Sequence, residues 1–286
     1  MTLSTKPFSN RIAVVFDFDD TLVPDTVDSL LESLDIDALK FRQERIQPLV
    51  ESGWDKILAR FYALIEESKR QGNRITKEYI AGFGEQLQPF DGVTQMFDRL
   101  RQSAYQINPE VEVEFYLITC GMVEIARCNC IAPHFKGMWG CEFSYGEDGG
   151  IEFLKKIVTH TEKTRYLFQI AKGIEHHQDD GKSFVYRDVA TEELYIPLTQ
   201  TIYVGDGESD IPCFSLLNQE QGTAIALYKN QTPKEWGREL DLTQSQRVAN
   251  LTPVDYSENS ELMRSLTLAV ESICKQISLR QLSVGE

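Results

Sequence analysis

Residues 12–23 have the sequence IAVVFDFDDTLV, in which an apolar run leads directly into three acidic residues. The apolar part, Ile12–Phe16, is rich in β-branched side chains and is typical of a strand buried on both faces of a parallel sheet. The carboxylates of Asp17, Asp19 and Asp20 repel one another, and their burial is costly unless a cation lies among them. Because ligands of open α/β sheets bind at the carboxyl ends of the strands, this stretch predicts both a fold class and a binding site.

The same strand pattern recurs along the chain. Further apolar, strand-like runs lie at Phe115–Ile118, Thr201–Val204 and Ala224–Tyr228. Between the strands, apolar spacing predicts helices at Val93–Leu100, Thr164–Ala171 and Asp210–Leu217. Strands that alternate with helices indicate βαβ units, so we expect an α/β protein with a doubly wound, Rossmann-like parallel sheet. We also expect a hairpin at Cys141–Val158 and a closing helix at Ser260–Ile277.

Residues 25–88 have a different pattern. Their apolar residues follow helical spacing, as at Leu30–Leu34 and again at Ile57–Ile65, and no strand-like run interrupts them. We therefore expect a small helical cap domain over residues 25–88, inserted after the first strand into a core of residues 1–24 and 89–286. The alternative is a helical decoration that only packs on the core and has no role in chemistry.

A second acidic group supports a cation site. Residues 205–210, GDGESD, follow the predicted strand Thr201–Val204, which brings Asp206 and Asp210 to the end of another strand of the sheet. Carboxylates at this density, without histidine or cysteine nearby in sequence, suit Mg²⁺. The alternative is that Asp206 and Asp210 only cap the next helix. A separate polar cluster, His176–Asp180, is interpreted as a solvated loop rather than a metal site.

The composition argues against several other functions. The 286 residues carry 29 basic and 44 acidic side chains, for a formal charge of −15, and nucleic-acid backbones are bound by basic surfaces. No apolar run approaches the roughly 20 residues that span a bilayer, and the N-terminus lacks the apolar stretch of a secretory signal. The six cysteines show no zinc-binding spacing and indicate reduced thiols. We therefore expect a cytoplasmic protein without nucleic-acid or membrane partners, and its oligomeric state stays open.

Taken together, the motifs resemble those of the haloacid-dehalogenase-like (HAD) phosphohydrolase superfamily. Its four motifs, D-x-D-x-T-L, a strand ending in a hydroxyl residue, a lysine that opens a helix and G-D-G-x-x-D, match Asp17–Leu22, Phe115–Thr119, Lys163 and Gly205–Asp210. The insert resembles the C1-type cap of this superfamily, and the hairpin before Lys163 resembles its phosphoserine phosphatase branch. The spacing of the motifs organises nearly the whole chain.

The resemblance implies a Mg²⁺-dependent reaction on a phosphate monoester. Asp17 would attack phosphorus and form an aspartyl-phosphate, and Asp19 would protonate the leaving oxygen and then deprotonate the attacking water. Mg²⁺ would be held by Asp17, by the backbone carbonyl of Asp19 and by Asp206. Asp210 would orient metal-bound water or Lys163 without binding the metal itself.

The resemblance also implies a set of phosphate-binding groups. Thr119 and the backbone N–H groups of Cys120 and Gly121 would hold phosphate oxygens, and Lys163 would counter the repulsion between nucleophile and phosphate. Lys163 is preferred because a helix is predicted directly after it. The competing lysines of this region are Lys155 and Lys156.

We therefore predict a phosphomonoesterase that acts on a small phosphorylated metabolite. The alternatives are a phosphotransferase or phosphomutase of the same superfamily, in which a hydroxyl replaces water, and a catalytically silent interaction scaffold. A dehalogenase is disfavoured, because that chemistry needs no metal and lacks the second acid, Asp19. The chain departs from phosphoserine phosphatases at two positions, with Thr26 in place of a glutamate and Cys120 in place of a glycine, so the substrate stays open.

Overall fold

The computed structural model describes residues 9–174, 185, 187–229 and 248–283. The first eight residues and the cluster His176–Asp180 lie outside this part of the chain. Within it, no helix combines the length and the apolar character that crossing a membrane requires.

Seven strands of the described residues form one sheet. They are β1 (Arg11–Phe16), β2 (Glu112–Met122), β3 (Phe135–Tyr145), β4 (Ile151–Lys156), β5 (Thr201–Gly205), β6 (Thr223–Tyr228) and β7 (Asn250–Pro253). Their order is β4-β3-β2-β1-β5-β6-β7, and all neighbours are parallel except β3 and β4, which form an antiparallel hairpin. The carboxyl end of the central strand β1 is therefore flanked by those of β2 and β5.

Helices precede or follow most of these strands. They are α1 (Thr26–Ser33), α2 (Ala38–Phe41), α3 (Gln47–Glu51), α4 (Lys56–Arg70), α5 (Lys77–Gln86), α6 (Val93–Ile107), α7 (Val123–Cys128), α8 (Glu162–Lys172), α9 (Ile211–Gln219) and α10 (Glu261–Ser283). A π-helical segment, Arg42–Ile46, joins α2 to α3.

The helices cover both faces of the sheet. Phe115 of β2 packs edge-on against Phe97 of α6, with ring centroids 4.9 Å apart, whereas the next residue, Tyr116, stacks on Trp139, which stacks on Tyr166 of α8. Successive strand residues point to opposite faces, so α6 and α8 lie on opposite sides. Helix α10 packs beside α6, and α9 beside α8. The predicted doubly wound α/β fold is thus confirmed.

Several elements are longer than the sequence predicts. Strand β2 continues past Ile118 to Met122, because a register shift after Ile118 allows Met122 to pair with Cys141. The helix predicted at Val93–Leu100 runs on to Ile107. The closing helix, predicted at Ser260–Ile277, spans Glu261–Ser283. The last turns of these two helices carry polar residues, so the apolar spacing of the sequence does not predict that the helices extend this far.

The insert of residues 25–88 consists of α1 to α5 and the π-helical segment and turns that join them, and none of its residues belongs to one of the seven strands. It packs closely on the rest of the chain. Asn129, which follows α7, donates through Nδ2 to the carbonyls of Gly84 and Leu87 at 3.0 and 2.7 Å, and a Cβ on Gly84 would lie 2.6 Å from the Ile125 carbonyl oxygen. Its status as a separate cap domain stays a prediction.

Candidate active site

Three neighbouring strands bring the predicted residues into one cleft. Asp17 and Asp19 follow β1, Thr119 lies near the carboxyl end of β2, and Asp206 follows β5. These side chains line a cleft of about 220 Å³ whose opposite wall includes Arg60 of α4. Residues that are more than a hundred positions apart in sequence therefore meet at the edge of the sheet where α/β proteins bind ligands.

Lys163 is the lysine that enters this cluster. Its side chain is completely buried, and Nζ lies 3.0 Å from Asp17 Oδ2 and 2.7 Å from Asp210 Oδ1. Burial alone would lower the pKa of Lys163, but the two carboxylates raise it well above its usual value, so the ammonium is charged. Lys155 and Lys156 instead pair with Glu142 outside the cleft.

Asp210 is held by hydrogen bonds to both of its oxygens. Oδ1 accepts from Lys163 and from the Tyr203 hydroxyl, each at 2.7 Å, and Oδ2 accepts from the backbone N–H of Gly207 at 3.0 Å. A Cβ on Gly205 would collide with the Asp210 carboxyl group, so only glycine fits there. These bonds leave Asp210 suited to orienting Lys163. The sequence did not identify Tyr203 as a site residue, because its pattern there is that of an ordinary buried strand.

The carboxylates are crowded in a way that fits a hard cation. Carboxylate oxygens of Asp17, Asp206 and Asp210 all lie within 4.8 Å of one another. Burial, together with the neighbouring carboxylates, raises the pKa of Asp17 to about 7 and that of Asp206 to about 9. A divalent ion would relieve this repulsion, and an all-oxygen donor set suits Mg²⁺. Asp210 is completely buried, accepts three hydrogen bonds and does not line the cleft, whereas Asp17 and Asp206 do, so Asp17 and Asp206 are the better ligands.

Asp19 also lines the cleft. Its Oδ1 accepts the backbone N–H of Thr26 at 2.6 Å, and its Oδ2 lies 3.5 Å from the Thr119 hydroxyl. Burial and the charge of Asp25 raise the pKa of Asp19 to about 6. A carboxyl group with such a pKa can both donate and accept a proton near neutral pH.

The predicted phosphate-binding segment lies beside Asp19. Thr119 Oγ1 accepts the backbone N–H of Gly121 at 2.8 Å, and a Cβ on Gly121 would collide with the Asp19 carboxylate. Cys120 also lines the cleft, and burial raises the pKa of its thiol to about 12, so the thiol stays neutral. A neutral thiol is a poor nucleophile, so Cys120 is not suited to attack a substrate.

Ion pairs from the insert border the mouth of the cleft. Arg60 of α4 bonds to Asp25, and Lys56 Nζ lies 3.3 Å from Glu208 Oε2 in the loop after β5. Burial alone would raise the pKa of Asp25, but Arg60, a backbone N–H and Arg42 together lower it, so Asp25 is ionised. The sequence could not pair these residues, because their partners lie on separate elements.

Several known proteins are similar to this chain over most of its length. No family model matches the chain. A Borreliella burgdorferi protein, described as uncharacterized, is 23% identical over 297 residues that cover 94% of this chain and 98% of that protein. A HAD-family hydrolase structure from Salmonella enterica serovar Typhi has a TM-score of 0.56 at 15% identity and covers 92% of this chain and 72% of its own.

Two phosphoserine phosphatase structures are similar to the chain as well. A substrate-bound complex has a TM-score of 0.54 at 14% identity, over 90% of this chain and 98% of that one. A probable phosphoserine phosphatase from Vibrio cholerae has a TM-score of 0.54 at 11% identity, over 96% and 69% of the two chains.

Fold and cleft together define a doubly wound α/β protein with an acidic site at the carboxyl ends of its central strands. More specifically, the chain has the HAD-like fold, as the sequence motifs predicted. At the 11–15% identity of these structures the likeness extends to the fold alone, and the chemistry has to be argued from the cleft.

Proposed function

We propose that this protein is a Mg²⁺-dependent phosphomonoesterase of the HAD superfamily that acts on a small phosphorylated metabolite. The observation that carries the proposal is the position of Lys163, which contacts both Asp17 and Asp210. Asp17 is thereby kept next to a fixed positive charge at the point where a phosphate would enter. A cytoplasmic location agrees with the six cysteines, all of which are free thiols.

The reaction would proceed in two displacements. In the first, a carboxylate oxygen of Asp17 forms a bond to phosphorus while the bond from phosphorus to the leaving oxygen breaks, and Asp19 gives its proton to that oxygen. In the second, water attacks phosphorus, Asp19 takes a proton from the water, and the aspartyl–phosphorus bond breaks. The raised pKa of Asp19, about 6, supports this double use.

The surrounding residues would supply charge and orientation. Asp17, the backbone carbonyl of Asp19 and Asp206 would hold Mg²⁺, which supplies positive charge to the phosphate oxygens when it is bound. Asp210 would keep the Lys163 ammonium in place. The hydroxyl of Thr119 and the N–H group of Cys120 would bind the oxygens of the transferred group, and the N–H of Gly121, which donates to Thr119 Oγ1, would orient that hydroxyl.

The size and lining of the cleft support a small leaving group. About 220 Å³ is less than the volume of most drug-sized ligand sites, and the insert forms one wall of the cleft. Arg60 and Lys56 lie on that wall, one helical turn apart on α4. We propose that this wall contacts the organic part of the substrate while the strand ends handle phosphate and metal.

The test is release of phosphate from p-nitrophenyl phosphate by the full chain. We expect turnover with Mg²⁺ and none with EDTA. Asp17→Asn should reduce kcat by at least about 10⁴-fold, because the amide is a poor nucleophile and a weaker metal ligand. The matched control is Asp91→Asn at an exposed turn, and circular dichroism checks that both variants fold. Turnover in EDTA, or by folded Asp17→Asn, would contradict the proposal.

A further inference from the structure

A second cavity, of about 320 Å³, lies on the face of the sheet that α8 covers, and it shares no lining residue with the acidic cleft. The residues that line it include Tyr116, Trp139, Gln169, Ile170 and Tyr195. This volume lies within the range of about 300–1,000 Å³ that is usual for small-molecule sites. The catalytic proposal uses none of these residues.

The aromatic walls of this cavity are held in place by close packing. Tyr116 and Trp139 stack with ring centroids 6.0 Å apart and an angle of 17° between the rings. A Cβ on Gly137 would collide with the Trp139 ring, and one on Gly173 would lie 2.9 Å from the Tyr195 side chain. The rings therefore lie directly against backbone, which favours a preformed site over one that must be ordered by the ligand.

Gln169 brings an unsatisfied polar group to the same place. Gln169 is one of the lining residues, it is only 6% exposed, and no hydrogen-bond partner for its Oε1 exists among the described residues. Leaving a buried acceptor unpaired costs about 1–3 kcal/mol. A ligand that donates an N–H here would recover that free energy.

The charged groups at this cavity are already neutralised. Lys136 Nζ lies 2.6 Å from Glu114 Oε1, and Arg127 lies 3.1 Å from Glu142. The Trp139 ring already stacks on Tyr116 and Tyr166, so the cavity offers the remaining surfaces of its aromatic rings and one amide acceptor, but no excess charge that would select an ion. A flat, uncharged ring that carries an N–H group matches this combination.

We propose that the cavity binds a planar nitrogen heterocycle of the nucleobase class, with its ring against the aromatic walls and an N–H donated to Gln169 Oε1. This inference is independent of the phosphatase proposal.

The test is isothermal titration calorimetry with three probes, adenosine, purine riboside and N6,N6-dimethyladenosine. The last two lack the exocyclic N–H of adenosine. We expect wild type to bind adenosine about tenfold more tightly than either analogue, which is the effect of one buried hydrogen bond. In Gln169→Met, which keeps the length of the side chain, adenosine affinity should fall to that of purine riboside, whose own affinity should not change.

The matched control is Gln95→Met on the exposed face of α6, which should keep the wild-type preference. The comparison of the three probes on wild type also tests the proposal if a variant fails to fold. The proposal is overturned if adenosine shows no saturable binding at millimolar concentration, or if the preference is missing in wild type or persists in Gln169→Met. Displacement of adenosine by inorganic phosphate with Mg²⁺ would also overturn it, because binding would then be in the acidic cleft.

Discussion

Carboxylates are buried at both ends of the sheet, but in opposite electrostatic settings. At the amino end, Glu114 of β2 lies 2.6 Å from Lys136 Nζ and 3.3 Å from Arg11 Nε, and it accepts hydrogen bonds from the Tyr116 and Tyr195 hydroxyls. At the carboxyl end, a larger set of carboxylates shares one buried ammonium. Its members are Asp17, Asp19, Asp206 and Asp210, around Lys163.

The difference separates a charge-balanced cluster from one that we propose to be functional. Glu114 carries one negative charge and lies beside two cationic side chains. Burial would lower the pKa of Lys136, but the hydrogen bonds that Lys136 donates to Glu114 and Tyr195 raise it. The carboxyl-end cluster keeps an excess of negative charge, and the pKa values of Asp17 and Asp206 rise accordingly. A protein gains nothing in stability from such an excess, and perturbed carboxylates in a cleft are typical of catalytic and metal sites.

The largest difference between the two ends of the sheet should be in how a substitution of a carboxylate changes kcat. Asp19→Asn should lower kcat by about 10²–10⁴-fold on phenyl phosphate, a poor leaving group, because the proton donor is lost. The defect in the first step should be smaller with p-nitrophenyl phosphate, which needs little protonation. Glu114→Gln is the control and should leave kcat unchanged. Full activity of Asp19→Asn on phenyl phosphate would show that the acid–base assignment is wrong.

The next contrast is in stability. Glu114→Leu should lower the free energy of unfolding by about 2 kcal/mol, because Lys136 and Arg11 lose their shared partner, although both remain partly solvated. Asp206→Asn should leave the free energy of unfolding of the metal-free protein unchanged or raise it, because the cost of burying or protonating an uncompensated carboxylate is removed. Urea unfolding in EDTA measures both. A large loss of stability in Asp206→Asn would mean that the carboxyl-end cluster is charge-balanced after all.

A smaller effect should appear in the pH dependence of the metal-free protein. The folded-state pKa values of Asp17, Asp19 and Asp206, about 7, 6 and 9, lie above the ordinary value of 3.8. The folded chain then holds protons that the unfolded chain has released, so the free energy of unfolding should fall as pH rises from 5 to 9, by about 1 kcal/mol or more. Thermal unfolding in EDTA at pH 5.5 and 8.5 measures the fall, and Mg²⁺ should reverse it at pH 8.5. Equal stability at both pH values would contradict the prediction.

The acidic cleft also shows how far sequence reasoning extends. The fold followed from the strand before Asp17, because apolar runs and their spacing are local signals. The choice of Lys163 rested on a local signal too, the helix after it, and the structure places its ammonium beside Asp17. Tyr203 and Gln169 could not be found in this way, because their importance depends on which distant residue each one faces. Pairs such as Arg60 with Asp25 depend likewise on how the insert packs.

The smallest effect concerns two lysine–carboxylate pairs, one at each end of the sheet. Lys56 and Glu208, 3.3 Å apart, have side chains that are 71% and 74% exposed, whereas the carboxylate paired with Lys136, that of Glu114, is only 3% exposed. Solvent screens the exposed pair, so a double-mutant cycle with Lys56→Ala and Glu208→Gln should give a coupling below about 0.5 kcal/mol. The same cycle with Lys136→Ala and Glu114→Gln should give about 1–2 kcal/mol, since the buried carboxylate cannot be solvated by water instead.

If the exposed pair proved as strongly coupled as the buried one, this ion pair would stabilise the packing of the insert against the strand ends. Lys56 would then contribute to holding the insert over the cleft, in addition to facing the substrate. A weak coupling would allow Lys56 to leave Glu208 and to pair with an anionic group on the substrate. The KM of Lys56→Ala would then depend on the charge of the leaving group, whereas its kcat would not.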